Sequence, residues 1–321
     1  MLQTPALVCY NVIMNDREVI GRFAPTPSGF MHAGNILCAM LAYLSAKSKG
    51  GKFIIRIEDV DITRCPRRAA ADIIELLALF GIESDEPVIY QSERIEAYRA
   101  AEARLRRVAE LYPCFCSRAE LHAAGAIALP DGGVLYSQKC RSMSKAEAAA
   151  RAENDPPSVR LAVPDETIEF YDAIFGRQAQ NLARECGDFV IRRRDGVYAY
   201  QLAVVVDDGY SGVTEIVRGA DLLYDTPRQI YLQRLLGLSE PEYCHIPLVV
   251  TADGKKLSKS DGDSAARLLK HMTVQQITGA LAHAAGIADE PRPTTLDELI
   301  PSFSTEKIKR GDIILPNALE R

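Results

Sequence analysis

Nowhere in the sequence is there an apolar run close to the roughly 18 residues that a membrane-spanning helix needs, which argues against a helical membrane protein. The opening segment, MLQTPALVCYNVIMNDREVI, has neither a basic start nor a long apolar block followed by small residues. No secretory leader is therefore expected, and the expected compartment is the cytoplasm. Repeats and low-complexity tracts are missing too. Positive charge is not in excess: the formal net charge is −5, so the field of the whole molecule does not attract nucleic acid. Any RNA contact must come from a local basic patch. The triplet Arg192, Arg193 and Arg194 is one such cluster, although the same run also suits a solvated turn ahead of a strand. Cysteine is scattered, and of the 8 present only Cys114, Cys116 and Cys140 are closely grouped. In a chain without an export signal that favours a metal over a disulfide framework.

What is present is the composition of an ordinary globular protein, 47% apolar and 25% charged, in a chain long enough for about two domains. Val19 to Ala24 reads as a short strand running into the turn PTPSG, and Asn35 to Ser48 has the apolar period of a helix. KFIIRI (Lys52 to Ile57) reads as the next strand and Cys65 to Phe80 as the next helix, the alternation of a parallel α/β sheet. After a helical stretch ending near Leu111, a Cys-, Gly- and Pro-bearing segment over 112–187 looks like an insertion, before strand-like sequence returns at Asp188 to Ile191. YAYQLAVVVDD, from Tyr198, reads as a buried strand or apolar core segment. VTEIVRGADLL, a helix around Thr226 to Leu236 and HIPLVV complete a second α/β half. Beyond Ser260 the pattern is mostly helical, broken at Pro291 to Pro293.

Two motifs carry phosphate chemistry. In Arg22-Phe23-Ala24-Pro25-Thr26-Pro27-Ser28-Gly29-Phe30-Met31-His32-Ala33-Gly34-Asn35 the prolines hold a strand-end turn and the glycines let the backbone approach a ligand. His32, just ahead of a helix, can donate to phosphate oxygens at its N-terminus; the competing reading is a histidine that caps the helix. Lys256-Leu257-Ser258-Lys259-Ser260, after Asp253-Gly254, places lysines and hydroxyls on a loop able to neutralise departing pyrophosphate, or simply on solvated surface. Between them, Arg56-Ile57-Glu58-Asp59-Val60-Asp61 presents acids at the carboxyl edge of a strand, where Glu58 can hold an ammonium group. Arg22 and Arg218 offer planar forks for carboxylates, or structural ion pairs. Cys114, Cys116, Tyr136 and Cys140 supply three thiolates and a phenol for a tetrahedral metal, with His122 as a rival fourth ligand and a metal-free loop of buried cysteines as the alternative.

Taken together, His32-Ala33-Gly34-Asn35 and Lys256 to Ser260 resemble the HIGH and KMSKS motifs of the class I aminoacyl-tRNA synthetases, departing from them at Asn35 and Leu257. RFAP, RIEDVD, YAYQLAVVVDD, VRGAD and KLSKS resemble the glutamyl-tRNA synthetase family over most of residues 20–260, with Gln201 where asparagine is usual. The Cys-x-Cys and Tyr-x-x-x-Cys pattern is similar to that of its short paralogues, the glutamyl-Q tRNA(Asp) synthetases. The resemblance implies an α/β class I synthetase fold. Its parts would be an N-terminal extension (1–18), a first half of a Rossmann-type parallel-sheet catalytic domain (19–111), an inserted acceptor-binding subdomain with a zinc site (112–187), the second half with the KMSKS-type loop (188–265), and a short helical C-terminal region (266–321). It implies that Arg22, Phe23, Ala24, Pro25, Thr26, Glu58, Tyr200 and Arg218 hold L-glutamate. ATP with Mg²⁺ would be held by His32, Gly34, Lys256, Ser258 and Lys259, with His32 and Lys259 catalytic, and Zn²⁺ by Cys114, Cys116, Tyr136 and Cys140. Only about 60 residues follow Ser260, fewer than a two-part anticodon reader is expected to need. The chain therefore looks like the short paralogue, and that resemblance implies the queuosine base at the wobble position of tRNA(Asp) as acceptor, the alternative being a minimal enzyme that charges a tRNA 3′ end. A monomer without membrane association is expected.

Overall fold

A computed structural model describes residues 18–122, 126–130, 132–251, 254, 265–316 and 319. Lys256, Ser258 and Lys259 of the second motif, and nearly all of the N-terminal extension, lie outside the described residues. The elements in chain order are β1 (Ile20–Phe23), α1 (Ala33–Ser48), β2 (Lys52–Ile57), α2 (Arg67–Leu79), β3 (Ile89–Tyr90), α3 (Ile95–Val108), β4 (Leu111–Cys114), α4 (Arg118–Leu121), α5 (Lys145–Ala152), β5 (Ser158–Leu161), β6 (Thr167–Asp172) and β7 (Gly176–Asn181). They continue with β8 (Phe189–Arg192), α6 (Tyr200–Tyr210), β9 (Glu215–Gly219), α7 (Thr226–Leu236), β10 (Glu242–Ile246), β11 (Val249–Val250), α8 (Ala265–Leu268), α9 (Val274–Ala285), α10 (Leu296–Leu299) and β12 (Ile313–Ile314).

The β-branched strands assemble into a seven-stranded sheet of order β3-β2-β1-β9-β10-β6-β7. All neighbouring pairs are parallel except the β6–β7 hairpin at the edge. From β1 the chain builds outward through β2 and β3, and later resumes on the other side of β1 with β9 and β10. The order of the sheet therefore reverses between β1 and β9, where ligands of such folds bind at the carboxyl ends of the strands. The segment 112–187 contributes both to this sheet, through β6 and β7, and to a separate antiparallel sheet of order β4-β5-β8.

α1 is buried on almost every side, because β1 and β9 lie under one face and α9 and α10 cover the other within one apolar cluster. α3, α6 and α7 pack on the opposite face of the sheet in a second cluster. Tyr200–Tyr210 is a helix, so of the two readings of this run, a buried strand or an apolar core segment, the second holds. Leu202, Ala203, Val204, Val205, Asp207 and Asp208 are all buried, so the segment is apolar nearly all round and shows no amphipathic period to read. The C-terminal region is not purely helical either, since β12 returns to pair with β11. Among the described residues no helix is long and apolar enough to cross a membrane.

The proline-bearing break predicted near 291–293 lies against α9 at Gly279. A Cβ built there would come within 1.8 Å of the Arg292 carbonyl oxygen. Gly279→Ala must therefore push the two backbones apart, and a cost of at least about 2 kcal/mol is expected, read as a lower urea midpoint. An unchanged midpoint would mean that this contact does not constrain the C-terminal region.

Candidate active site

A cavity of about 420 Å³ opens where the sheet order reverses, within the size range of small-molecule sites. Its walls come from the ends of β1, β2, β9 and β10 and the first turn of α1. Arg22, Phe23, Ala24, Pro25, Thr26, His32, Gly34, Glu58, Tyr200 and Arg218 all line it. These are all the residues singled out for this site from the sequence, apart from those outside the described residues.

His32 is the N-cap of α1. Its Nδ1 accepts the Asn35 N–H at 3.3 Å, while Asn35 Oδ1 accepts the His32 N–H at 3.1 Å. Capping and ligand binding are thus not alternatives, because an Nδ1 that accepts leaves the imidazole proton on Nε2. Asn35, which departs from the usual motif, completes this reciprocal pair. Gly34 suits the same turn, since a Cβ there would lie 3.1 Å from the imidazole and crowd it.

Beneath this turn is a buried charge cluster. Arg56 is wholly buried and its guanidinium bonds Asp208 and, at 3.3 Å, Glu58. Arg22 Nε donates to the same Asp208 oxygen at 3.3 Å, and Thr26 Oγ1 donates to Glu58 at 3.4 Å. Burial would raise Asp208, but Arg56 and Arg22 outweigh it and hold this carboxyl below its ordinary range. For Glu58 burial prevails and the shift is upward, opposed by the same two cations. Burial, and then the Glu58 charge, push the Tyr200 phenol up to about 12, so it remains a hydroxyl donor.

Arg218 is held differently. Its Nε donates to His245 Nε2 at 2.9 Å, Nη1 to Gln229 at 2.8 Å and Nη2 to Thr226 at 2.8 Å, all neutral acceptors. His245 Nδ1 in turn faces Asp172 at 2.7 Å. Asp172 accepts the backbone N–H groups of Ile174, Phe175 and His245 as well. The compensating carboxylate for Arg218 thus lies one imidazole away, and the guanidinium keeps N–H groups to spare for a ligand. Asp208, His245 and Asp172 were not singled out from the sequence. An acid pair at the end of an apolar run was the available signal for Asp208; nothing local marks the other two, which meet only through the β6–β10 pairing.

The cysteine cluster lies outside this cavity, in its own small core. The Cys114, Cys116 and Cys140 sulfurs are within 4.8 Å of one another, and Cys116 and Cys140 are 3.6 Å apart. Tyr136 Oη is 3.5 Å from Cys114 and 3.8 Å from Cys116. Donors bound about 2.3 Å from one tetrahedral ion would be separated by roughly 3.7 Å, so the four groups fit such an ion. His122 is exposed and lies outside the group. Burial alone would raise the Cys114 thiol, yet Tyr136 and the Arg160 guanidinium lower it to about 7, which favours the thiolate. The basic triplet serves structure instead: Arg192 pairs with Glu102 at 3.0 Å, Arg193 with Asp61 at 2.7 Å and Asp195, and Arg194 with Asp155.

Comparison with known proteins agrees with this geometry. The family described as tRNA synthetases class I (E and Q), catalytic domain, matches residues 18–277. A glutamyl-Q tRNA(Asp) synthetase of Pseudomonas entomophila is 48% identical over 247 residues, covering 77% of this chain and 79% of the relative. That of Symbiobacterium thermophilum is 44% identical over 309 residues, covering 92% and 95%. Among solved structures, the glutamate-tRNA synthetase of Elizabethkingia anophelis superposes with a TM-score of 0.83 at 27% identity, covering 95% of this chain and 69% of that one.

The buried relay carries a pH signature. Burial, with the Arg218 charge adding to it, pushes His245 down to about 4 against the opposing pull of Asp172. The folded protein keeps this ring neutral, whereas in the unfolded chain it takes up a proton near pH 6.5. Its contribution is therefore complete above pH ~6.5 and lost as the pH falls from there towards 4, by on the order of 3 kcal/mol. Urea unfolding of the parent should weaken across that window, and His245→Gln should flatten the dependence. Identical slopes would show that His245 does not titrate this way.

Proposed function

The chain belongs to the class I tRNA synthetases of the E and Q type and, within them, to the glutamyl-Q tRNA(Asp) synthetases, and from that premise we propose the chemistry of its cavity. The enzyme activates glutamate with ATP, without RNA, and transfers it to the queuosine base at the wobble position of tRNA(Asp). The observation that carries this reading is the convergence of Arg22, Glu58, Tyr200, Arg218 and the His32 turn on one cavity at the reversal point of the sheet.

Arg218 takes the side-chain carboxylate of glutamate, because it is fixed by neutral acceptors and has no direct counter-ion among the described residues. Glu58 takes the ammonium group, whose charge favours the ionised form of that carboxyl. Glutamine in the same pose would leave the buried Arg218 without a charge partner, which disfavours it. The α-carboxylate then points to the N-terminus of α1, where backbone N–H groups and His32 Nε2–H meet the ATP phosphates. Lys256, Ser258 and Lys259 supply further cationic and hydroxyl groups to the triphosphate. A carboxylate oxygen attacks the α-phosphorus and pyrophosphate leaves; Mg²⁺, when bound, neutralises charge on the phosphates. A hydroxyl of the queuosine cyclopentene then attacks the activated carbonyl, and AMP leaves. The chain's part is positioning and electrostatics, with no covalent enzyme intermediate.

With radiolabelled glutamate and ATP, queuosine-containing tRNA(Asp) should be labelled while unmodified tRNA(Asp) and tRNA(Glu) are not. Labelling of tRNA(Glu) alone would make this a minimal charging synthetase and overturn the proposal. The ion in the cysteine site is zinc on this reading, one per chain. Cys116→Ala should lose it, as measured by elemental analysis, and lower the melting temperature of the inserted segment's core. Full retention of zinc would place the metal elsewhere.

A further inference from the structure

A second cavity, of about 590 Å³, shares Asp221, Pro247 and Leu248 with the reaction cavity. Its remaining walls come from parts of the chain that the activation chemistry does not use. Phe175 lies in the β6–β7 turn, Pro130 in the inserted segment, and Arg310, Gly311 and Asp312 in the stretch leading to β12. We propose that this cavity seats the acceptor nucleoside, and that its chemistry selects a base carrying a cationic substituent next to its nucleophilic hydroxyl. The proposal rests on the functional reading above and extends it to a named subsite.

The hydroxyl that attacks the activated carboxyl must enter the reaction cavity, so the rest of its nucleoside must occupy the space beyond the shared wall. The second cavity lies across that wall and is large enough for a nucleoside-sized ligand. Phe175 offers an aromatic face there with 37% of its surface exposed, and bases stack on such rings whatever their sequence. Its backbone is pinned, because Asp172 accepts the Phe175 N–H at 2.9 Å. The residue that anchors the Arg218 relay thus also sets the stacking platform.

Charge narrows the ligand class. The Arg192–Arg194 triplet is consumed by ion pairs, so a phosphate contact must be found elsewhere on this acidic chain. Arg310 supplies an exposed cation to the lining of the second cavity, where it makes no ion pair with any described residue. The same lining carries two carboxylates, Asp221 at the shared wall and Asp312. Acids at that point disfavour a bare phosphate and favour an ammonium group close to the reacting hydroxyl. Queuosine has that arrangement, a secondary amine joining its base to the cyclopentene diol, whereas a 3′-terminal adenosine has no positive charge to offer. The subsite therefore discriminates between acceptors by chemistry and not only by shape.

The test uses the full chain and the exposed positions Arg310→Ala and Asp312→Asn, with Phe175→Leu to remove the ring while keeping apolar bulk. Glutamate-dependent ATP–pyrophosphate exchange should be unchanged in all three, which also reports that they are folded. Transfer to queuosine-containing tRNA(Asp) should fall about tenfold in kcat/KM for Phe175→Leu and severalfold for each of the others. Free queuosine nucleoside should inhibit transfer by the parent, and less well by Asp312→Asn. If the parent labels queuosine-containing tRNA(Asp) but the three variants stay within twofold of it, the subsite is wrong and the functional reading stands. If the parent exchanges pyrophosphate yet labels no queuosine-containing RNA, the functional reading fails and the subsite with it.

Discussion

A guanidinium without solvent holds the two halves of this fold together. Arg56 projects from β2 into the interior, where a lone cation would cost several kcal/mol, and is tolerated because Asp208 of α6 and Glu58 at its own strand end meet it. Asp208 in turn binds Arg22 at the end of β1. One carboxylate from the second half of the domain thereby fixes two arginines of the first half. Removing it would leave both under-compensated, a loss on the order of 3–5 kcal/mol. Arg22 and Glu58, two members of this cluster, line the reaction cavity, so the contacts that hold the fold also fix part of the cavity wall.

The two motif arginines have different work, and their partners show it. Arg22 is already paired and contributes to the cavity from a committed position. Arg218 is oriented by neutral groups and balanced at a distance through His245 and Asp172, which keeps its charge directed at the cavity. Asp172 belongs to the β6–β7 hairpin of segment 112–187, so that segment helps to orient Arg218 in the cavity.

Much of this was legible in the sequence where the signal was local. KFIIRI and the helix at Thr226 to Leu236 lie where their patterns placed them, and the cavity gathers the RFAP, RIEDVD and VRGAD residues. The cysteine spacing likewise brought four donors together. What could not be read was tertiary. Tyr200–Tyr210 hides its helical period because both sides are buried, and the arginine triplet looks like an RNA patch until Glu102, Asp61 and Asp155 arrive from distant elements. His245 and Asp172 are 73 residues apart and acquire a joint role only when their strands pair.

On the proposed function, this chain activates glutamate on its own, with Arg218 as the charge that reads the side-chain carboxylate. ATP–pyrophosphate exchange measured with glutamate and no RNA tests it most directly, comparing the parent with Arg218→Gln and glutamate with glutamine. Robust exchange by the parent with glutamate only is expected, with at least about a hundredfold loss in kcat/KM for glutamate on Arg218→Gln. Exchange that needed RNA, or that ran equally well with glutamine, would contradict it.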